Sequence, residues 1–169
     1  MKLDEQPRPK LDLPITKGEI ALEILSVLPI VLTLAVIMIN WQALPDMVAS
    51  HFDLTGHANG WSNKSVLWFL FSMSLGTSIA LSIMCRFPHT FNYPFAITET
   101  NATRQYMLAR KFLRLLKFEI VMLLFVAVWT IIESATAAAK EANPSQLFTL
   151  TAILLASTAG YFLSAYLRR

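Results

Sequence analysis

The chain has 169 residues, of which 55% are hydrophobic and only 15% charged, with a mean hydropathy of +0.52 and a formal net charge of +3 at pH 7. A composition this apolar excludes a soluble globular domain, and the apolar runs use so much of the length that a second sizeable domain has no room. The single cysteine, Cys85, excludes an internal disulfide and reads as inert packing.

Residues 1–19 form a polar, cytoplasmic tail in which Lys2, Arg8, Lys10 and Lys17 mix with Asp4, Glu5, Asp12 and Glu19. Pro7, Pro9 and Pro14 favour extended backbone there. The apolar run that follows is too long for a signal peptide and ends at Asn40-Trp41 without a small-x-small cleavage site, so a retained first helix is expected. In all, four apolar runs stand out, about 20–40, 65–85, 118–136 and 146–166, each about 30 Å long as helix. Continuous apolar runs lack the alternation of barrel strands. The expected fold class is therefore all-α, an integral membrane four-helix bundle occupying residues 20–169.

Between the first two runs lies the polar stretch Leu44 to Lys64. Pro45 ends the first helix, and Thr55-Gly56 and Asn59-Gly60 are turn signals, so a structured loop with two tight turns is expected. Its chemistry resides in Asp46, His51, Asp53, His57, Asn59, Asn63 and Lys64, with Phe52 and Trp61 able to seat it against helix ends. Two readings stand side by side. In one the loop is a ligand site; in the other Asp53 and Asn59 accept hydrogen bonds from the loop's own backbone, and Lys64 caps or snorkels at the start of the second helix. A metal site built from His51, Asp53 and His57, with Asp46 as a fourth ligand, is the sharpest chemical alternative, although these spacings are not diagnostic.

The second loop, Arg86 to Asn101, is kinked and aromatic, carrying Pro88, His89, Phe91, Tyr93 and Pro94. Thr98 and Asn101 offer start signals for a helix that begins outside the lipid and runs unbroken into the third span. Arg110, Arg114 and Lys117 fall at i, i+4 and i+7 on one face of it, a basic lead-in suited to anionic lipid headgroups or to a cytoplasmic regulator. Within the spans, Glu23 and Glu119 lie near one boundary, able to reach water or pair with Lys17, Arg114 or Lys117; Glu133 lies about one turn from the other boundary. If the third helix packs near the first loop, Glu133 meets Lys64, His51 or His57. Small residues at Ser74, Ser78 and Ser82, and at Ala156, Gly160 and Ser164, mark helix seams or a homodimer face.

Orientation follows from Lys and Arg. Twelve of the fourteen lie in the tail, the second loop with its helix start, and the C-terminus; Lys64 and Lys140 lie on the other side. Both termini are expected to be cytoplasmic, with loop 44–64 outside and Trp41, Trp61 and Trp68 near the outer boundary.

Leu44-Pro45, His51-Phe52-Asp53, Gly56, Asn59-Gly60-Trp61 and Lys64 resemble the signature of small bacterial multi-pass membrane proteins carrying the N-terminal domain-of-unknown-function module of SdpI-type toxin immunity proteins. Asn92-Tyr93-Pro94, Ile97-Thr98-Glu99, Asn101 and Arg104-Gln105-Tyr106 resemble the cytoplasmic loop of shorter relatives. The resemblance implies a plasma-membrane protein that protects its cell from a secreted peptide and can tether a cognate repressor; this chain departs from the immunity members in having four spans where they have more.

The chain lacks HExxH, GxSxG and P-loop motifs, so no enzyme, cofactor or nucleic-acid partner is expected. The expected function is binding. The outer loop, through His51, Asp53, Gly56, Asn59, Gly60, Trp61 and Lys64 with Glu133 behind it, recognises or blocks an envelope-active peptide or similar ligand. Asn92, Tyr93, Pro94, Arg110, Arg114 and Lys117 contact lipid or a cytoplasmic partner. An accessory subunit of a membrane transporter or enzyme complex is the reading from another class.

Overall fold

The computed structural model describes residues 8–53, 55–136 and 145–168. The expectations that rest on Lys2, Asp4, Glu5, Pro7, Lys140 and Arg169 lie outside those residues. In chain order the elements are α1 (Lys17–Asn40), β1 (Met47–Phe52), β2 (Ala58–Asn63), α2 (Val66–Met84), a short 3-10 turn (Pro88–Thr90), α3 (Ala102–Thr136) and α4 (Ser145–Leu167). All four α-helices are long and apolar enough to cross a membrane.

Helix α1 starts three residues earlier than hydropathy alone places it, because Thr16 and Glu19 form a capping box. The Glu19 amide donates to Thr16 Oγ1 at 3.3 Å, and the Thr16 amide donates to Glu19 Oε2 at 2.8 Å. Two otherwise orphaned amide groups are thereby satisfied. The buried face of α1 carries Glu19, Ser26, Pro29, Thr33 and Ile37, while Ile24, Val27, Val31, Met38 and Ile39 point outward. This inversion is what a lipid solvent rewards: apolar side chains face the tails, and small or polar ones face the neighbouring helices. The buried hydroxyls of Ser26 and Thr33 donate to the carbonyls of Leu22 and Pro29 at 2.6 and 2.7 Å, so they cost no unmet hydrogen bond.

Helix α3 is the axis of the molecule and packs against α1, α2, α4 and β1. Its 35 residues span about 52 Å, well beyond the ~30 Å apolar core of a bilayer, so its first turns project past the spans as the sequence predicts. Helix α4 packs chiefly on α3. Phe112 and Tyr161 stack with ring centroids 4.2 Å apart, Ser157 Oγ donates to Glu119 Oε2 at 2.9 Å, and Gln105 Nε2 donates to the Ala165 and Arg168 carbonyls. These contacts turn Ser157, Tyr161 and Ala165 inward and leave Ala156 and Gly160 exposed and Ser164 half-buried, so of the expected small-residue seam of α4 only Ser164 reaches the packing face. The corresponding seam of α2 does face inward, with Ser74 buried and Ser78 and Ser82 half-buried.

The all-α expectation needs one correction. Loop 44–64 contains a two-stranded antiparallel sheet in which Met47 pairs with Asn63, Val48 with Ser62, Ala49 with Trp61, His51 with Gly60 and Phe52 with Ala58. Ser50 and Asn59 have no partner in this register, and each marks a bulge. The sheet was hidden because strand β2, Ala-Asn-Gly-Trp-Ser-Asn, is poor in β-branched residues and reads as loop.

Candidate functional site

The hairpin is held on the helix ends by buried side chains. Leu44 and Val48 join Ile37, Leu67, Val128, Ile131 and Ile132 in one core cluster, with Trp41, Phe52 and Trp68 packed around it. Lys64 closes the base: its Nζ donates to the Leu44 carbonyl at 3.2 Å, lies 3.5 Å from Asp46 Oδ1, and sits 5.0 Å from the centre of the Trp41 ring. Its amide donates to the Asp46 carbonyl at 2.9 Å. Lys64 therefore ties the two legs of the hairpin together.

Asp53 organises the connection between the strands. Its Oδ1 accepts from the Thr55 amide at 2.9 Å, the Thr55 hydroxyl at 2.6 Å and the His57 amide at 3.0 Å. The Thr55 hydroxyl, aided by these two amides, holds the Asp53 carboxyl below the usual carboxylate range. Gly56 turns the chain at φ 92°, in the left-handed region that a side chain disfavours. The expected turn at Asn59-Gly60 is absent, because the Asp53 turn has already reversed the chain and these two residues lie within β2. Gly60 serves packing instead: a Cβ there would come within 3.1 Å of His51 Cβ, so the His51 ring lies across the glycine.

The proposed metal ligands divide accordingly. His57 Nδ1 lies 2.7 Å from the Thr55 hydroxyl and 3.9 Å from Asp53 Oδ1, while His51 Nδ1 is 3.1 Å from Ser50 Oγ. Among the described residues no group of three or more His, Cys, Asp or Glu is placed to hold a metal. Met47, His51, Asn59, Trp61 and Asn63 remain exposed on the hairpin, Trp61 at 60% of its surface. Glu133 is also exposed and forms no ion pair with Lys64, His51 or His57 among the described residues.

A second polar site lies at the opposite end of the helices. Arg110, Arg114 and Lys117, expected on a headgroup-facing surface, are at most 5% exposed. Arg110 donates through Nε and Nη2 to the two oxygens of Glu19, both at 2.9 Å, and to the Leu13 and Pro14 carbonyls. Arg114 donates to Glu19 Oε1 at 2.5 Å and to Glu23 Oε1 at 3.1 Å. Lys117 donates to Glu23 Oε2 and, at 3.0 Å, to Ser82 Oγ. The inward turn has a plain cause: Glu19 and Glu23 on α1 repeat at i, i+4 and meet the i, i+4, i+7 cations of α3 across a tight helix contact. The pairing of Glu23 with Arg114 and Lys117 was legible in the sequence. The role of Glu19 was not, although Thr16-x-x-Glu19 is a capping-box spacing that draws attention to it.

In the second loop, Tyr93 is buried, its hydroxyl donating to the Pro88 carbonyl at 3.0 Å and its ring packed on Tyr106. Burial pushes its phenol well above the ordinary value. Arg8 covers that ring at 5.6 Å and donates to the Phe91 carbonyl at 2.5 Å. Asn92 and Pro94 on either side of it are exposed.

Residues 28–75 match the model of a protein family described as a domain of unknown function, DUF1648. The matched segment runs from the middle of α1 through the hairpin to the middle of α2, and so includes Lys64, Asp53 and Gly60 but neither Glu19 nor the α3 cations. With its four apolar helices it marks a membrane protein. No curated protein and no solved structure matches the chain.

Proposed function

We propose that the chain is a plasma-membrane recognition protein of the SdpI-type immunity or signalling kind, with the hairpin as its outward binding surface. The observation that carries this reading is the hairpin's exposed row of Met47, Asn59, Trp61 and Asn63 with His51, mounted on a base sealed by Lys64 and lying within the family-matched segment. A large exposed indole on a rigid polar hairpin suits recognition of an amphipathic peptide. The excess of Lys and Arg on the tail, the second loop and the C-terminus supports cytoplasmic termini and an external hairpin. The reading is binding rather than catalysis, and it is supported by the hold that the hairpin's own hydroxyls and amides have on Asp53 and on the Nδ1 atoms of both histidines. On the cytoplasmic side a regulator would meet exposed Asn92 and Pro94 rather than the buried cations of α3.

The test is survival of a sensitive bacterial host challenged with a panel of membrane-active peptide toxins. Expression of the protein should protect against at least one peptide, and Trp61→Ala should remove protection at unchanged protein level. Protection from none of them, or protection that survives Trp61→Ala, would refute the reading.

A further inference from the structure

The ionic end of the bundle contains a cavity of about 260 Å³ lined by Leu11, Asp12, Cys85, Arg86, Arg110 and Arg114 together with neighbouring residues of the tail and the second loop. It opens where α1 begins and α2 ends, the level at which the apolar spans give way to polar chain. We propose that this cavity is a binding site for a phosphate-bearing anion, supplied either as an anionic lipid headgroup or as free phosphate.

The charge balance points that way. Three buried cations, Arg110, Arg114 and Lys117, face two carboxylates, Glu19 and Glu23, which leaves one positive charge without a counterion in the network. Both oxygens of Glu19 are already engaged, Oε1 by Arg110 and Arg114, Oε2 by Thr16 and Arg110. Its charge is therefore directed into the helix contact rather than into the cavity. Arg114 uses Nε and Nη1 on Glu19 and Glu23, but its Nη2 makes no hydrogen bond among the described residues although the side chain is only 7% exposed. A guanidinium that lines the cavity with a donor still open can take an oxyanion partner there. Arg86 is exposed on the cavity wall and adds a cation from outside the network; Asp12, also exposed, is the one acidic residue of the lining. The planar fork of arginine fits phosphate oxygens two at a time, which a lysine-lined site would not do. The volume far exceeds the ~30 Å³ share of one water and accommodates a phosphate with part of its ester. Exposed Leu11 and Ile15 in the cavity wall offer apolar contact for the acyl end of a lipid.

Two probes separate the sources, both used on the full chain purified in mild detergent. Inorganic phosphate is titrated against chloride at matched ionic strength with thermal stability as readout; phosphatidylglycerol is titrated against phosphatidylcholine with retained lipid read by native mass spectrometry. Saturable stabilisation by phosphate assigns the free anion, and saturable, selective retention of phosphatidylglycerol assigns the headgroup. In either case Arg86→Ala should weaken binding about tenfold, and Leu11→Trp, which fills the mouth without changing charge, should abolish it. Absence of saturable binding with both probes, or binding that either variant leaves unchanged, overturns the proposal.

Discussion

At the hairpin end the polar side chains are exposed and bond to their own strand connection; at the opposite end they are buried and join segments about 90 residues apart. The hairpin's polar groups set a local shape and can be altered one by one. The ionic groups hold α1 to α3, and each depends on the others, because a buried charge without its partner is expensive. The two regions also differ in what they leave over: surface at the hairpin, and charge at the ionic end.

The comparison breaks most sharply at Glu19. Glu19→Ala leaves buried Arg110 without its carboxylate, takes one of the two that Arg114 meets and removes half of the capping box of α1, so a loss of about 3–5 kcal/mol is expected, read as a large fall in thermal stability or failure to accumulate folded protein. Removing the same charge type from the hairpin, by Asp53→Ala, should leave the global transition nearly unchanged. A smaller effect is expected at Val48, which anchors β1 in the core cluster. Val48→Ala should cost about 1–3 kcal/mol and speed hydrogen exchange of the hairpin amides before those of α1.

Gly60→Ala should cost about 1 kcal/mol or more by crowding the His51 Cβ and ring, and His51→Ala in the same chain, which removes Cγ and Nδ1 but keeps the Cβ, should recover part of it. Additive losses in that double variant would show that the two residues do not share the space. The smallest effect concerns pH. The folded hairpin holds the Asp53 carboxyl below its ordinary value, so its contribution is complete above about pH 4 and is lost as pH falls through the lower folded value. Exchange of the Thr55 and His57 amides should therefore quicken, beyond its intrinsic pH dependence, only in acid, and Asp53→Asn should remove that response.

Hydropathy alone determined four helices and placed their ends within a few residues, apart from the long projection of α3, because burial in lipid depends on the composition of each run and not on its neighbours. Turn signals marked loop 44–64 as structured, since Gly56 and Asp53 act within a few residues of themselves. What only the tertiary structure decided was the use of the polar side chains. Glu19 is one acidic residue of a polar tail by sequence and an ionic hub by geometry, and Arg110 reads as an exposed surface cation until α1 supplies its partner from 91 residues away. Likewise the Asn59-Gly60 pair reads as a turn until Gly60 is found beneath His51 across the sheet. Local periodicity carries the energy of solvation, which each residue meets alone; pairing energy belongs to two residues at once, and only the packed chain states which two.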